Sequence, residues 1–183
     1  MQLSGKYYEI ASYICTSERK LEAGNMKKKV DIKLLAKCIA IPLLVGAVAA
    51  LISGGGMEVF ESVNQPPLSP PGWLFPVVWT ILYTLMGISS YWIMTSGAKE
   101  DQIYKAMSLY WYQLAVNFLW PTFFFNFRWY LFSFLWLVLL WVLVLAMILR
   151  FWKIDKRAAW INIPYLVWLT FAGYLNLGIW WLN

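Results

Sequence analysis

Gln65-Pro66-Pro67-Leu68-Ser69-Pro70-Pro71-Gly72-Trp73 places four prolines in six positions immediately ahead of an apolar run of about twenty residues. Each proline lacks a backbone donor and bars its predecessor from helical geometry, so an extended, polyproline-like loop is expected as far as Gly72. Beyond it, Trp79, Tyr83, Gly87 and Tyr91 recur every four residues. On a helix this spacing lays two large aromatics, a gap and a third aromatic along one stripe. Such a stripe needs a packing partner.

Working outward, the chain is 61% hydrophobic and 13% charged over 183 residues, against about a quarter charged in ordinary globular proteins. The charge-free gaps are long. Between Cys38 and Ala98 only Glu58 and Glu61 ionise as acid or base, between Ala106 and Leu149 only Arg128, and after Ala158 none. A helix of about twenty such residues rises roughly 30 Å, the thickness of a bilayer core. The expected fold is an all-α integral membrane protein, a five-transmembrane-helix bundle with spans at 34–53, 73–94, 104–125, 130–152 and 158–182. Residues 1–33 form a polar N-terminal tail outside this 34–183 domain. Lys6, Glu9, Glu18, Arg19, Lys20 and Glu22 cancel within it, and Met26 opens Lys27-Lys28-Lys29 in the manner of a membrane-protein start. A loose tail or a misassigned start is expected, with an amphipathic surface helix as the alternative.

The spans differ in character. Pro42 and the glycines 54–56 punctuate the first, and residues 57–72 make a loop long enough to cover a cavity mouth. In the third, Tyr110, Gln113, Asn117 and Trp120 share one helical side. Amides at membrane depth must face protein or a cavity, and Pro121 removes the bond to the Asn117 carbonyl, which predicts a kink. The fourth span is apolar almost all round and reads as a lipid-facing wall, with Trp136 and Trp141 as packing residues. The fifth sets Tyr165, Trp168, Ala172, Leu175 and Asn176 on one broad stripe, small Ala172 leaving room beside Trp168.

Bases cluster before the first span, in the second connection (Lys99, Lys105) and in the fourth (Arg150, Lys153, Lys156, Arg157), whereas the first connection has two Glu and no base. The positive-inside rule then puts the N-terminus in the cytoplasm and the long loop and C-terminus outside. The net charge of +6 follows from topology and anionic lipid, and charges confined to helix ends offer no track for nucleic acid.

The chain contains no His, which excludes His-ligated metal and Ser–His nucleophilic chemistry, and no metal is expected. Cys15 and Cys38 stand apart as inert thiols. No phosphate loop or paired carboxylates occur, and the spans lack the intramembrane charge that ion-coupled transport requires. What remains is an aromatic excess of 13 Trp, 11 Tyr and 11 Phe. Trp73, Trp92, Trp129, Trp152, Trp180 and Trp181 lie near span ends and read as interfacial belts. Trp79 and Trp168 lie inside their spans, as expected of a cavity that stacks a large flat ligand and supplies one or two hydrogen bonds.

Three motifs then carry a resemblance: Pro66-Pro67-Leu68-Ser69-Pro70-Pro71-Gly72-Trp73 followed by Val78-Trp79-Thr80, Leu82-Tyr83 and Met86-Gly87; Gln113-Leu114-Ala115-Val116-Asn117 with Trp120; and Pro164-Tyr165-Leu166-Val167-Trp168 with Phe171-Ala172 and Leu175-Asn176. Over residues 34–183 the chain resembles the translocator protein family, also called TspO, peripheral-type benzodiazepine receptor or tryptophan-rich sensory protein. The resemblance implies a five-helix bundle, usually a homodimer, in a bacterial cell membrane, whose capped cavity binds porphyrins such as protoporphyrin IX with no cofactor required. Carried over by motif, Trp79, Asn117 and Trp168 line that cavity, with Tyr83, Trp120, Phe124, Ala172 and Leu175 as neighbours. Its implied role is a receptor or carrier, with tetrapyrrole transport or stress regulation. The alternative is light- and oxygen-dependent porphyrin breakdown with Trp79 and Trp168 as catalytic candidates. A small-molecule exporter is a weaker third reading. Three departures stand out. Val59-Phe60 and Leu68 replace loop aromatics, implying a thinner lid; Leu177 and Trp181 stand where a sterol motif needs a Tyr and a base; and Ser108 and Tyr112 replace a Gly-x-x-x-Gly contact.

Overall fold

The structure, a computed structural model, describes residues 30–54 and 56–183, apart from the side chain of Met57. The tail expected over residues 1–33 lies almost wholly outside the described residues. Within them the elements are helical: α1 Ile32–Ile52, α2 Gly56–Ser62, α3 Leu74–Met94, α4 Glu100–Pro121, a π-helical stretch Thr122–Asn126, α5 Tyr130–Trp152, α6 Lys156–Trp160 and α7 Ile163–Leu182. Among the described residues, four stretches are long and apolar enough to cross a membrane: α1, α3, α5 and residues 156–182, which hold α6 and α7. The chain is an all-α integral membrane protein. α4 has the length, 22 residues, but Glu100, Asp101, Lys105, Gln113 and Asn117 lower its apolarity.

α1 packs chiefly on α3, while α5 lies against both α4 and α7. The gap in the aromatic stripe of α3 sets the first of these contacts. A Cβ on Gly87 would lie 2.5 Å from Ile39 Cα and 2.7 Å from the Cys38 carbonyl oxygen, so the backbone of α1 occupies the place of a side chain. One turn away, Tyr83 packs against Gly46 of α1. The main core gathers Met86, Tyr110, Leu140, Val144, Phe151 and Tyr165, none more than 2% exposed.

Several sequence expectations are corrected. The loop over residues 57–72 is not all irregular, because α2 occupies its start. Nor is the proline segment extended throughout: it turns at Leu68, whose φ is +67°, with Ser69 Oγ donating to the Pro66 carbonyl at 2.8 Å. Proline preceding a residue with positive φ is the geometry of a type II turn, where glycine is preferred. α4 begins four residues before the expected boundary at 104, since Glu100 and Asp101 suit a helix N-terminus. At its other end Pro121 does not kink a continuing α-helix. The helix ends there and the chain widens into the π-helical stretch, Phe127 N donating to the Thr122 carbonyl at 3.1 Å. α5 is not a lipid-facing wall all round either, because Leu137, Leu140, Val144, Met147 and Phe151 are buried along one side of it.

The last apolar stretch, residues 156–182, begins as a separate turn. Asp155 caps α6 by accepting from Arg157 N at 2.9 Å, and its carboxylate accepts from the Arg157 guanidinium at 2.9 and 3.2 Å. The bonds from Arg157 hold the Asp155 carboxyl below the ordinary aspartate range. Ala158 and Ala159 are fully buried, fixing α6 against α3 and α5 before α7 begins.

Candidate ligand cavity

Tyr83, Asn117, Tyr165 and Gln113 form one buried chain of hydrogen bonds across α3, α4 and α7. Tyr83 Oη donates to Asn117 Oδ1 at 3.0 Å, Asn117 Nδ2 donates to Tyr165 Oη at 2.6 Å, and Tyr165 Oη donates to Gln113 Oε1 at 3.0 Å. Gln113 Nε2 ends the chain on Met86 Sδ at 3.5 Å. The amides expected on the inner face of α4 therefore satisfy tyrosines first. Each bond matters because a buried polar group without a partner costs about 1–3 kcal/mol.

Next to this chain lies a cavity of about 20 Å³. Phe75 and Trp79 come from α3, Asn117 and Trp120 from α4, Leu137 and Leu140 from α5, and Trp168 and Ala172 from α7. The volume is about that of one water molecule. Among the lining residues, Asn117 and Trp120 have committed polar groups. With the Asn176 amide turned to satisfy both its ends, Asn176 donates to the Tyr130 carbonyl at 2.8 Å and accepts from Trp120 Nε1 at 3.3 Å and Ser133 Oγ at 3.0 Å. Trp168 differs: its Nε1 is buried with no hydrogen-bond partner among the described residues. Trp136 and Trp141, by contrast, tie α5 to its neighbours, donating to the Val116 carbonyl at 2.8 Å and to Thr170 Oγ1 at 2.9 Å.

The loop closes one side. Phe60 is 3% exposed and meets Phe75 edge-on at 4.9 Å, and Phe75 meets Trp168 at 5.8 Å. At Val59-Phe60, where a thinner lid is expected, Phe60 turns inward as a plug against Phe75, whereas Leu68, 84% exposed, contributes nothing to the lid. The loop is fastened to α7 by Tyr174 Oη on the Pro67 carbonyl at 2.8 Å and by Asn183, which accepts from Asn64 N and donates to the Asn64 carbonyl, each at 3.0 Å. Pro66 sits on Gly178, where a Cβ would lie 2.7 Å from the proline ring.

A profile of the TspO/MBR family matches residues 38–182. The chain belongs to the TspO/MBR family. It is 37% identical to Protein CrtK of Rhodobacter capsulatus over 138 residues, 75% of this chain and 85% of that one. Identity to the tryptophan-rich protein TspO of Chlorobaculum tepidum is 34% over 154 residues, 84% of this chain and 98% of that one. The translocator protein of Bos taurus is 34% identical over 142 residues, 76% and 84% of the two chains.

Of the residues singled out from sequence, Trp79, Asn117, Trp120, Trp168 and Ala172 come together around the cavity. Tyr83 stands behind Trp79, ring centroids 5.4 Å apart, and Phe124 stacks on Trp120 at 5.1 Å in a second apolar cluster with Phe60 and Ile179. Leu175 is buried in α7 outside the lining. Sequence reasoning missed Phe75, Leu137 and Leu140. The two leucines sit in a helix apolar all round, where periodicity carries no signal; Phe75 was legible only as an aromatic one turn before Trp79.

Proposed function

We propose that this protein is a membrane receptor or carrier for flat apolar ligands of the porphyrin class, protoporphyrin IX among them, bound between α3, α4, α5 and α7. The observation that carries this reading is the convergence of Trp79, Trp120 and Trp168, from three helices, on one cavity whose Trp168 donor lacks a partner. Indole walls stack a planar macrocycle, and the free N–H suits a peripheral acceptor atom. Size sets a condition. Ligand sites run to roughly 300–1,000 Å³, so a porphyrin is admitted only when Phe60, Phe75 and the loop of residues 63–73 withdraw.

In this reading α4 is the fifth span. Its amides are turned inward onto tyrosines, and its charged residues lie in its first two turns, at the headgroup level. The same reading takes the N-terminus as cytoplasmic and the α2 loop and C-terminus as outside, in a bacterial cell membrane, with a homodimer as the working unit; the distribution of bases supports the orientation.

Fluorescence-quenching titration with protoporphyrin IX tests the site. Trp168→Phe keeps a ring and removes the donor, and should weaken binding several-fold; Trp181→Ala, at a position 78% exposed, should leave it unchanged. Equal losses in both overturn the assignment. A second reading, light-driven porphyrin breakdown, is favoured by Trp79 lying 5.4 Å from Tyr83 and 6.1 Å from Tyr165, a cluster of oxidisable rings at the cavity wall. Illuminating the complex in air and following the Soret band in wild type and in a Trp79→Phe, Trp168→Phe variant that still binds decides it: identical decay removes these tryptophans from any such chemistry.

A further inference from the structure

The connection from α5 to α7 gathers four bases, Arg150, Lys153, Lys156 and Arg157, around a single acid, Asp155. Arg157 is committed to that acid, with Nη2 2.9 Å from Oδ2, and its guanidinium lies 5.3 Å over the Trp92 ring. Arg150, Lys153 and Lys156 are all exposed and form no salt bridge among the described residues. Beside them stand two indoles, Trp152 40% exposed and Trp160 61% exposed. Their ring centroids lie 5.5 Å apart, and Lys156 Nζ sits 5.9 Å over Trp152. Indoles at a span end settle at the headgroup level, where apolar ring and polar N–H are both accommodated. The Lys156 ammonium over Trp152 then stands at the depth of lipid phosphates. On the opposite side of α6, Ala158 and Ala159 are fully buried and anchor it to the bundle.

We propose that this corner is a binding site for an anionic phospholipid of the phosphatidylglycerol class. Arg150, Lys153 and Lys156 hold the phosphate, and the Trp152–Trp160 pair carries the glycerol and the start of the acyl chains. Three bases with no acid left to answer them select against a zwitterionic headgroup, whose ammonium they repel, and in favour of one with net negative charge. The charge pattern is more than a topology signal here, since Lys156 stands over the Trp152 ring, with Arg150 and Lys153 in the last turn of α5 and just after it.

Native mass spectrometry of the full chain in detergent, titrated with phosphatidylglycerol and separately with phosphatidylcholine, tests the site. Wild type should retain phosphatidylglycerol preferentially. An Arg150→Gln, Lys153→Gln, Lys156→Gln variant should lose affinity by about fivefold per charge removed. Lys153→Arg, Lys156→Arg should retain it, which separates charge loss from misfolding. A control Lys33→Gln, Lys37→Gln, Lys99→Gln variant, altering three other exposed bases, should bind as wild type. Equal weakening in the control reduces the effect to overall charge and overturns the site. So does competition by soluble glycerol phosphate at the lipid's own concentration, which would mark a phosphate site without a lipid platform.

Discussion

Gly87 and Gly173 show how differently two helical glycines can behave. At Gly87 a Cβ meets the α1 backbone at 2.5 Å, and neither helix can yield without separating; at Gly173 the nearest atoms are Leu137 Cδ2 at 3.8 Å and Phe134 Cε2 at 3.9 Å, ordinary contact. Gly87→Ala should destabilise by about 1–3 kcal/mol through overpacking, whereas Gly173→Ala should be neutral or gain up to about 1 kcal/mol of helix propensity. Thermal unfolding in detergent reads both, and a shift of the same sign for the two would refute the close α1–α3 approach. Trp168 makes a second contrast. Its unpartnered donor carries a burial penalty of about 1–3 kcal/mol, so Trp168→Phe should lose ligand affinity without losing stability. A drop in melting temperature matching the affinity loss would mean that Trp168 is a packing residue only.

Elements bring in fastenings and caps. The loop after α2 is tied to α7 at Pro67, Pro66 and Asn64, each exposed hydrogen bond being worth about 0.5–1.5 kcal/mol at most. Tyr174→Phe with Asn183→Ala should raise amide exchange at Asn64 and speed porphyrin association. Faster exchange with unchanged association would place the ligand's path elsewhere. At the start of α6, Asp155 is a charged cap whose folded-state carboxyl titrates below the ordinary aspartate value of 3.8. Its contribution is therefore fully present above that value and lost as pH falls through the lower folded one. Protection of the Arg157 amide relative to its intrinsic exchange rate, supplied by Asp155 Oδ1, should fall once the pH drops below the ordinary aspartate value in wild type and be low at every pH in Asp155→Ala, while protection of α7 amides remains unaffected.

At the scale of the whole molecule, orientation has a direct test. In a Cys-free background, a cysteine at Ser62 should react with an impermeant maleimide on intact cells, and one at Ser96 should not. The reverse pattern would invert the bundle and move the Phe60 plug to the cytoplasmic face. The α5–α7 corner with Arg150, Lys153 and Lys156 would move with it, to the outer leaflet.

Sequence by itself determined the class of this protein, because the long gaps between ionisable residues leave a bilayer as the solvent for those segments. It also determined the α3 stripe and the family, since helical spacing and the motifs at residues 66–73, 113–120 and 164–176 are local patterns. Tertiary structure decided what local pattern cannot encode. Asn117 was visible as an inward amide, but its commitment to Tyr83 and Tyr165 required α3, α4 and α7 to be placed together. Leu137 and Leu140 reached the cavity wall from a helix whose apolar residues look alike on every side. Phe60, read as a loss to the lid, became its plug because α2 turns it inward against Phe75. In a membrane chain nearly every face is apolar, so burial in protein and burial in lipid read alike in the sequence, and only the packing of one helix on another tells them apart.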